Sequence, residues 1–510
     1  MKRFITPLIL LIVAILAQTS FAADSANKII DRYKKASGGG AIKRVKSTSM
    51  SGTVKGADGA EGRFVYRVAG PDRLRTDIDV EGFKVSECYN GKSAWRMDGR
   101  GLRTLLGAEA KRLRLEALVA NSRLQELSRN RIIAEPPSKA TVEGREANAI
   151  ELSKDDARVK IFFDAKTNLP VKQERERAEG LEEIFYGDYR AVDGVMEPFS
   201  IRIKNGAGEL TVALDRVAHN ASVDDTAFRH PQVEGARPLP DLETLFKAVI
   251  ANQEKVEEMR ERYSFRASET ERKLEKDGRV KETETKVYDV TPVAGSFVER
   301  LISVNGKELT PAEREKEDRR VEKDVEEALK RREKRLKKEA QARERGKKEE
   351  EEDDDITILD FLRISEVTSV RREIFRGHEV IAFDFEPRKG FKPKNRAETI
   401  VSKLAGTTWV DENARQIVRL EARLTNSFKM GGGLLASISP SSAFAFEQEK
   451  VGDELWLPSY GEANISARIM LFAKFNRSME RRYSDYKKYQ IDSDYELAKP
   501  KENTKPDSQP

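Results

Sequence analysis

Cysteine is almost missing from this chain: Cys88 is the only one in 510 residues, so no disulfide can form within it. Histidine is nearly as scarce. His219, His230 and His378 are the whole set, and no two stand at metal-ligand spacing, which leaves little to build a histidine-rich metal centre. Long hydrophobic runs are also lacking. Beyond the first residues, no segment approaches the roughly 20 apolar residues of a membrane-spanning helix. Nor does one sign of charge dominate: 94 Lys plus Arg face 88 Asp plus Glu, a net charge of +6. Nucleic-acid binding normally needs a concentrated basic face, so that class is disfavoured, while weak attraction to anionic headgroups stays open.

Catalytic motifs are equally thin. Gly91-Lys92-Ser93 looks like the end of a phosphate-binding loop, but Ser86 stands where the earlier glycine belongs and the context is a hairpin. No serine sits in a Gly-x-Ser-x-Gly elbow. Cys88 follows Glu87 in a strand, a poor setting for a reactive thiolate. Gly431-Gly432-Gly433 reads as a bend or bulge rather than a phosphate cradle. The expectation is a non-enzymatic protein with no metal and no cofactor; an envelope hydrolase is the least favoured class.

What is present starts at the first residues. Lys2 and Arg3 precede an apolar run, Ile5 to Ala17, followed by Ser20-Phe21-Ala22. This is the pattern of a cleavable signal peptide over 1–22, with an uncleaved anchor as the alternative. No cysteine follows the run, which argues against lipoprotein processing. An exported chain of this size with one cysteine fits a bacterial periplasm better than eukaryotic secretion. The Asn220, Asn464 and Asn476 sequons are then chance matches.

Ser25 to Ala36 reads as a short helix with Ile29, Ile30 and Tyr33 on one face. A period of two follows: Phe64, Tyr66 and Val68, then Leu74, Thr76, Ile78 and Val80, alternate with mostly polar neighbours, as in antiparallel strands with one buried face. Asn90-Gly91 marks a hairpin with Trp95 and Met97 on the returning strand. Ala108 to Arg129 changes to a helical period, and strands resume from Asn148 to Val217. The first domain, 23–233, therefore reads helix, meander, helix, meander. A linker at 234–241 leads to a second domain, 242–490, opening with a helix over Leu242 to Tyr263. Inside it lies a charged insertion, 310–355. Thr310 to Gly346 is almost continuous Lys, Arg and Glu, read as a solvated helix held by i,i+4 pairs, with a partner-binding arm or disorder as alternatives. Its apolar positions (Val321, Val325, Leu329, Leu336) are too few for a coiled coil. The acidic run Glu349 to Asp355 closes it, and 491–510 reads as a disordered tail.

The two halves share a pattern. Gly144-Arg145-Glu146 before Ala149-Ile150-Glu151-Leu152 matches Gly377-His378-Glu379 before Ala382-Phe383-Asp384-Phe385. Phe162-Phe163-Asp164 matches Trp409-Val410-Asp411, and Asp193-Gly194 through Pro198 matches Gly452-Asp453 through Pro458. Three matches in one order point to duplication of one unit.

Several stretches resemble a known family. They are the Pro71-Asp72-Arg73-Leu74-Arg75 strand, Glu87 to Trp95, Phe163-Asp164-Ala165-Lys166-Thr167-Asn168-Leu169-Pro170, and Asp188 to Gly194. Together with the signal peptide and first helix they resemble the outer-membrane lipoprotein-sorting, LolA/LolB-like superfamily, over about Ala23 to Pro231 and more faintly Leu239 to Tyr489. The resemblance implies an α+β fold of two incomplete antiparallel barrels, each closed by helices around an apolar interior that receives acyl chains. The partner would be a lipid or acylated lipoprotein. Candidate lining residues are Phe64, Tyr66, Leu74, Ile78, Trp95 and Met97 in the first copy, and Phe383, Trp409, Leu420, Phe444 and Phe446 in the second. Two cradles and a charged arm depart from a simple carrier. The alternative is an envelope sensor or interaction protein that engages a partner through the charged helix.

Overall fold

The computed structural model describes residues 25–488, except 82, 178–179, 232–236, 276–278, 345–362, 431–435, 441, 453–454 and 470–472. The signal-peptide segment, the acidic run, the triple glycine and the tail lie outside these residues. Of the described residues, 56% are strand and 21% helix. The chain divides into two compact units: Met1–Arg237 with Lys276–Arg279 and Arg371–Glu379, and Pro238–Glu275 with Val280–Val370 and Val380–Pro510.

The first unit opens with α1 (Ala26–Ala36), capped by the Ser25 hydroxyl accepting from the Lys28 N–H. Six strands follow: β1 (Ser47–Gly56), β2 (Glu61–Ala69), β3 (Arg73–Val80), β4 (Phe83–Tyr89), β5 (Ala94–Asp98) and β6 (Gly101–Leu105). After α2 (Gly107–Ser122) come β7 (Ile133–Ala134), β8 (Ser138–Val142), β9 (Arg145–Lys154), β10 (Ala157–Asp164), β11 (Pro170–Arg177), β12 (Gly180–Val192), β13 (Val195–Asn205) and β14 (Gly208–His219). They form one 14-stranded antiparallel sheet in which β1 pairs with β14. The sheet is open rather than a closed barrel. Helix α2 ends at Ser122, earlier than its apolar periodicity suggests. Arg123 and Leu124 take left-handed backbone angles (φ 48° and 61°), which lets the Arg123 guanidinium reach Glu197 at 2.7 Å while Leu124 turns into the core.

The second half also opens with a helix. Helix α3 (Leu242–Arg260) precedes β15 (Tyr263–Leu274), β16 (Val280–Val293), β17 (Ser296–Val304) and β18 (Lys307–Glu308). Then come α4 (Pro311–Glu344), β19 (Ser365–Phe375), β20 (His378–Pro387), a short helix Arg396–Val401, β21 (Leu404–Asp411) and β22 (Gln416–Leu424). The last strands are β23 (Phe428–Met430), β24 (Ala436–Ile438), β25 (Ala443–Val451), β26 (Leu455–Ile469) and β27 (Ala473–Lys488). In this 13-stranded sheet the first strand, β15, again pairs with the last, β27. The aligned turns at Gly144 and Gly377 share a backbone, and the Asp193-Gly194 turn has the same form. Glu143-Gly144 (φ 48°, 78°), Asp193-Gly194 (49°, 79°) and Arg376-Gly377 (48°, 80°) are all left-handed pairs, the geometry that two-residue hairpins favour.

Helix α4 begins with a reciprocal cap: Thr310 N–H donates to the Glu313 carboxylate, and Glu313 N–H to the Thr310 hydroxyl. Its first half is seated on β17. The Glu317 carboxylate accepts the Leu301 N–H at 2.6 Å, and Arg320 donates to the Glu299 carbonyl. Ala328 is fully buried. The i,i+4 pairs Arg320–Asp324, Lys330–Glu326 and Lys337–Glu333 run along the helix.

Candidate functional site

The interior of the first unit is built where α2 crosses the sheet. Leu113 and Ala117 of α2 pack on Leu74, Tyr89, Ala94 and Leu105. Farther along, Phe64 joins Met50, Val54, Ile184, Ile201 and Val212, with Tyr66 and Ile78 against them. Phe64, Tyr66, Leu74 and Ile78 therefore share the inner face, Phe64 and Leu74 buried and Tyr66 and Ile78 half-buried. An apolar gap between Ile30, Leu124, Ile150, Leu152, Ile161 and Phe163 has no room even for a water. Trp95 and Met97 stand on the opposite face. Trp95 pairs with Cys88 and is wholly buried, its indole N–H donating to the Phe228 carbonyl at 3.2 Å.

Beside that apolar interior lies a feature that hydrophobic pattern alone does not announce. Three arginines and three glutamates form a buried ionic chain. Arg112 on α2 contacts Glu116 at 2.5 Å and Glu87 at 3.3 Å; Arg177 contacts Glu87 and Glu182, each at 2.9 Å; Arg175 joins Glu116 to Glu182. The chain thereby ties β4 to β11 through α2. Burial alone would raise the Glu87 carboxyl, but Arg177 and Arg112 beside it hold it well below the usual carboxylate range. Glu182 is likewise lowered against its burial by Arg175 and Arg177. Burial raises the phenols of Tyr66 and Tyr186 nearby. A signal for this polar interior does exist in the sequence: the second half of β11 reads Gln173-Glu174-Arg175-Glu176-Arg177, polar on both faces.

The second sheet is different. Registry places two rows on one face: Phe383, Thr408, Leu420, Phe446 and Gly461, and beside them Phe385, Gly406, Ala422, Phe444, Ala463 and Met479. Helix α3 covers one end, where Phe246 meets Phe383 edge-on at 5.2 Å among Leu245, Val249, Ile381 and Val410. Beyond α3 the rows emerge. Phe444 and Met479 are each 37% exposed, and Leu420 and Phe446 are half-buried. A methyl group added at Gly461, opposite Phe446, would meet nothing within 4 Å. Arg477 and Arg481 border the rows, paired to Glu271 and to Glu269 and Glu299. Of the second-copy candidates, Phe383, Leu420, Phe444 and Phe446 thus come together on one face. Trp409 points the other way: it pairs with Arg419, one residue out of step with the Thr408–Leu420 pair, and its ring lies 5.6 Å from the Arg419 guanidinium.

Among the described residues, no group of three or more His, Cys, Asp or Glu side chains is placed to hold a metal. Burial pushes the Cys88 thiol up, and its sulfur faces the Phe228 carbonyl at 3.5 Å.

No family model matches the chain, and no curated relative does. Among solved structures it is similar to a LolA superfamily protein from Nitrosomonas europaea, at 15% identity and a TM-score of 0.29 over 41% of this chain and 99% of that one. A DUF1329 family protein from Desulfovibrio piger aligns at 11% identity and a TM-score of 0.28, over 41% and 98%. The MucA/MucB complex structure of Pseudomonas aeruginosa aligns at 7% identity and a TM-score of 0.16, over 91% and 99%. With likenesses this distant, the LolA-like resemblance rests on the sequence motifs and on the architecture, two helix-bearing antiparallel sheets.

Proposed function

We propose that this chain is a non-enzymatic binding or carrier protein of a bacterial envelope, exported by its first 22 residues and built from two tandem LolA-like copies. It holds the acyl chain of a lipid or acylated protein on the apolar face of the second sheet. One observation supports this reading above the others: Phe444, Phe446, Leu420 and Met479 form a contiguous apolar surface that α3 leaves open. An acyl chain laid there gains about 0.8 kcal/mol for each methylene it buries, so a few contacts give binding that is firm yet exchangeable. The first copy, with its filled core and ionic chain, serves as a structural partner in this proposal.

The test is lipid extraction and native mass spectrometry on the protein purified from its own compartment, with two variants. Phe444→Asp replaces a side chain already in contact with solvent, so the variant folds and loses co-purified lipid, with affinity weakened roughly 10-fold or more. Phe64→Asp puts a charge where only 3% of the residue is exposed and unfolds the first unit. Undiminished lipid in Phe444→Asp rejects this site.

A second reading, a sensor that engages a partner through the charged helix, draws on the exposed half of α4. Deleting that helix is a poor test, because its first half covers β17. Substitutions at its solvent-facing end are the cleaner ones.

A further inference from the structure

We infer that the outer half of α4 is a docking surface for an anionic lipid bilayer, separate from the apolar face of the second sheet and independent of whether that face takes acyl chains. The helix changes character along its length. Its first turns are held on β17 through Glu317 and Arg320, and Ala328 is buried. From Leu329 to Lys337 every side chain is exposed. This stretch carries Lys330, Arg331, Arg332, Lys334, Arg335 and Lys337 against Glu333 alone. Arg335 lies toward Gly295; of the other five cations, Lys330 pairs with Glu326 and Lys337 with Glu333 along the helix, and all five are exposed.

Two apolar side chains stand among these charges. Leu329 is 47% and Leu336 52% exposed, and a separation of seven residues brings them to one face of the helix. A solvated helix held only by charge pairs has no use for two exposed leucines in register. At a bilayer surface both features fit: cations lie at the phosphate level with their aliphatic stems down, and the leucines enter the interface below them. A second copy of this chain is a poor occupant, since the two basic halves would face each other and repel. An acidic protein would satisfy the cations while leaving the leucines without a purpose. Both stay as outcomes of the test.

The full chain is mixed with phosphatidylcholine vesicles, with and without phosphatidylglycerol, and bound protein is read by flotation at low and raised salt. The intact chain binds only the phosphatidylglycerol vesicles, and the binding weakens with salt. A Lys330→Ser, Arg331→Ser, Arg332→Ser, Lys334→Ser variant loses on the order of 100-fold or more in affinity, from about fivefold per cation near a surface. The Leu329→Ser, Leu336→Ser variant keeps its charge but releases at lower salt. All these positions are exposed, so unchanged circular dichroism accompanies the loss. Phe444→Asp binds vesicles like the intact chain, which keeps this proposal distinct from the acyl site. Absence of phosphatidylglycerol-dependent binding by the intact chain overturns the proposal. So does a four-cation variant that binds as well as the original, or capture of soluble polyglutamate without capture of vesicles.

Discussion

Glu87 lies between Arg112 and Arg177 with 6% of its surface exposed. A buried pair of this kind adds little beyond what a packed apolar isostere would, but removing one member strands a charge. Glu87→Gln is therefore expected to destabilise the first unit by about 3–5 kcal/mol, read as a lower urea midpoint. The pH dependence follows from the depressed carboxyl. The unfolded chain binds the proton first, so the contribution of Glu87 is full above the ordinary glutamate value near about 4.3. It is lost as pH falls through the lower folded value. The gap between wild type and variant closes in acid; a gap that persists unchanged there would mean the charge pairing is not its source. Gly406 makes a sharper point about shape. A methyl group there would lie 2.8 Å from the Phe385 ring and 1.8 Å from the Glu421 carbonyl oxygen, so Gly406→Ala forces the β21–β22 backbone apart and lowers the thermal midpoint of the second unit.

Helices and strands differ in how plainly their residues announce them. Alternation over β2 and β3 and the Ser25 cap of α1 were legible because local chemistry sets them. The true end of α2 was not, since two left-handed residues are held there by a contact from Arg123 to Glu197 across 74 positions. The second half of strand β11 carried its warning openly: a stretch polar on both faces cannot line an apolar cradle. Helix α4 also does work that its composition hides. The Leu301 N–H and Glu299 carbonyl of β17 face the open side of the sheet, and Glu317 and Arg320 satisfy them. Unpaired edges of this kind template aggregation. Glu317→Ala is expected to cost about 1 kcal/mol and to raise the light scattering of concentrated protein, whereas Glu326→Ala, on the exposed side, changes neither.

In each unit the chain comes back to where it began, with the first strand bonded to the last. Thr48 pairs with His219, and Tyr263 with Lys488. Such pairings close very long loops before they gain any contacts, and folding slows accordingly. β27 lies between β15 and β26 in its sheet, so a chain truncated before Ala473 leaves two interior strands with bare edges. Truncation there is expected to abolish cooperative unfolding of the second unit in denaturant titration; a cooperative transition of normal size would contradict this view of the sheet. Strand-and-helix order, the hairpin turns and the scarcity of catalytic groups follow from residue order alone, because periodicity, caps and composition are local properties of the chain. Strand register and helix placement, by contrast, set which apolar residues are buried and which stand exposed. They also put Trp95, Met97 and Trp409 on the faces opposite the other candidate lining residues and brought six alternating charges into one interior. Those outcomes depend on strand register and on where a helix lies over a sheet, and both are fixed between residues far apart in the chain.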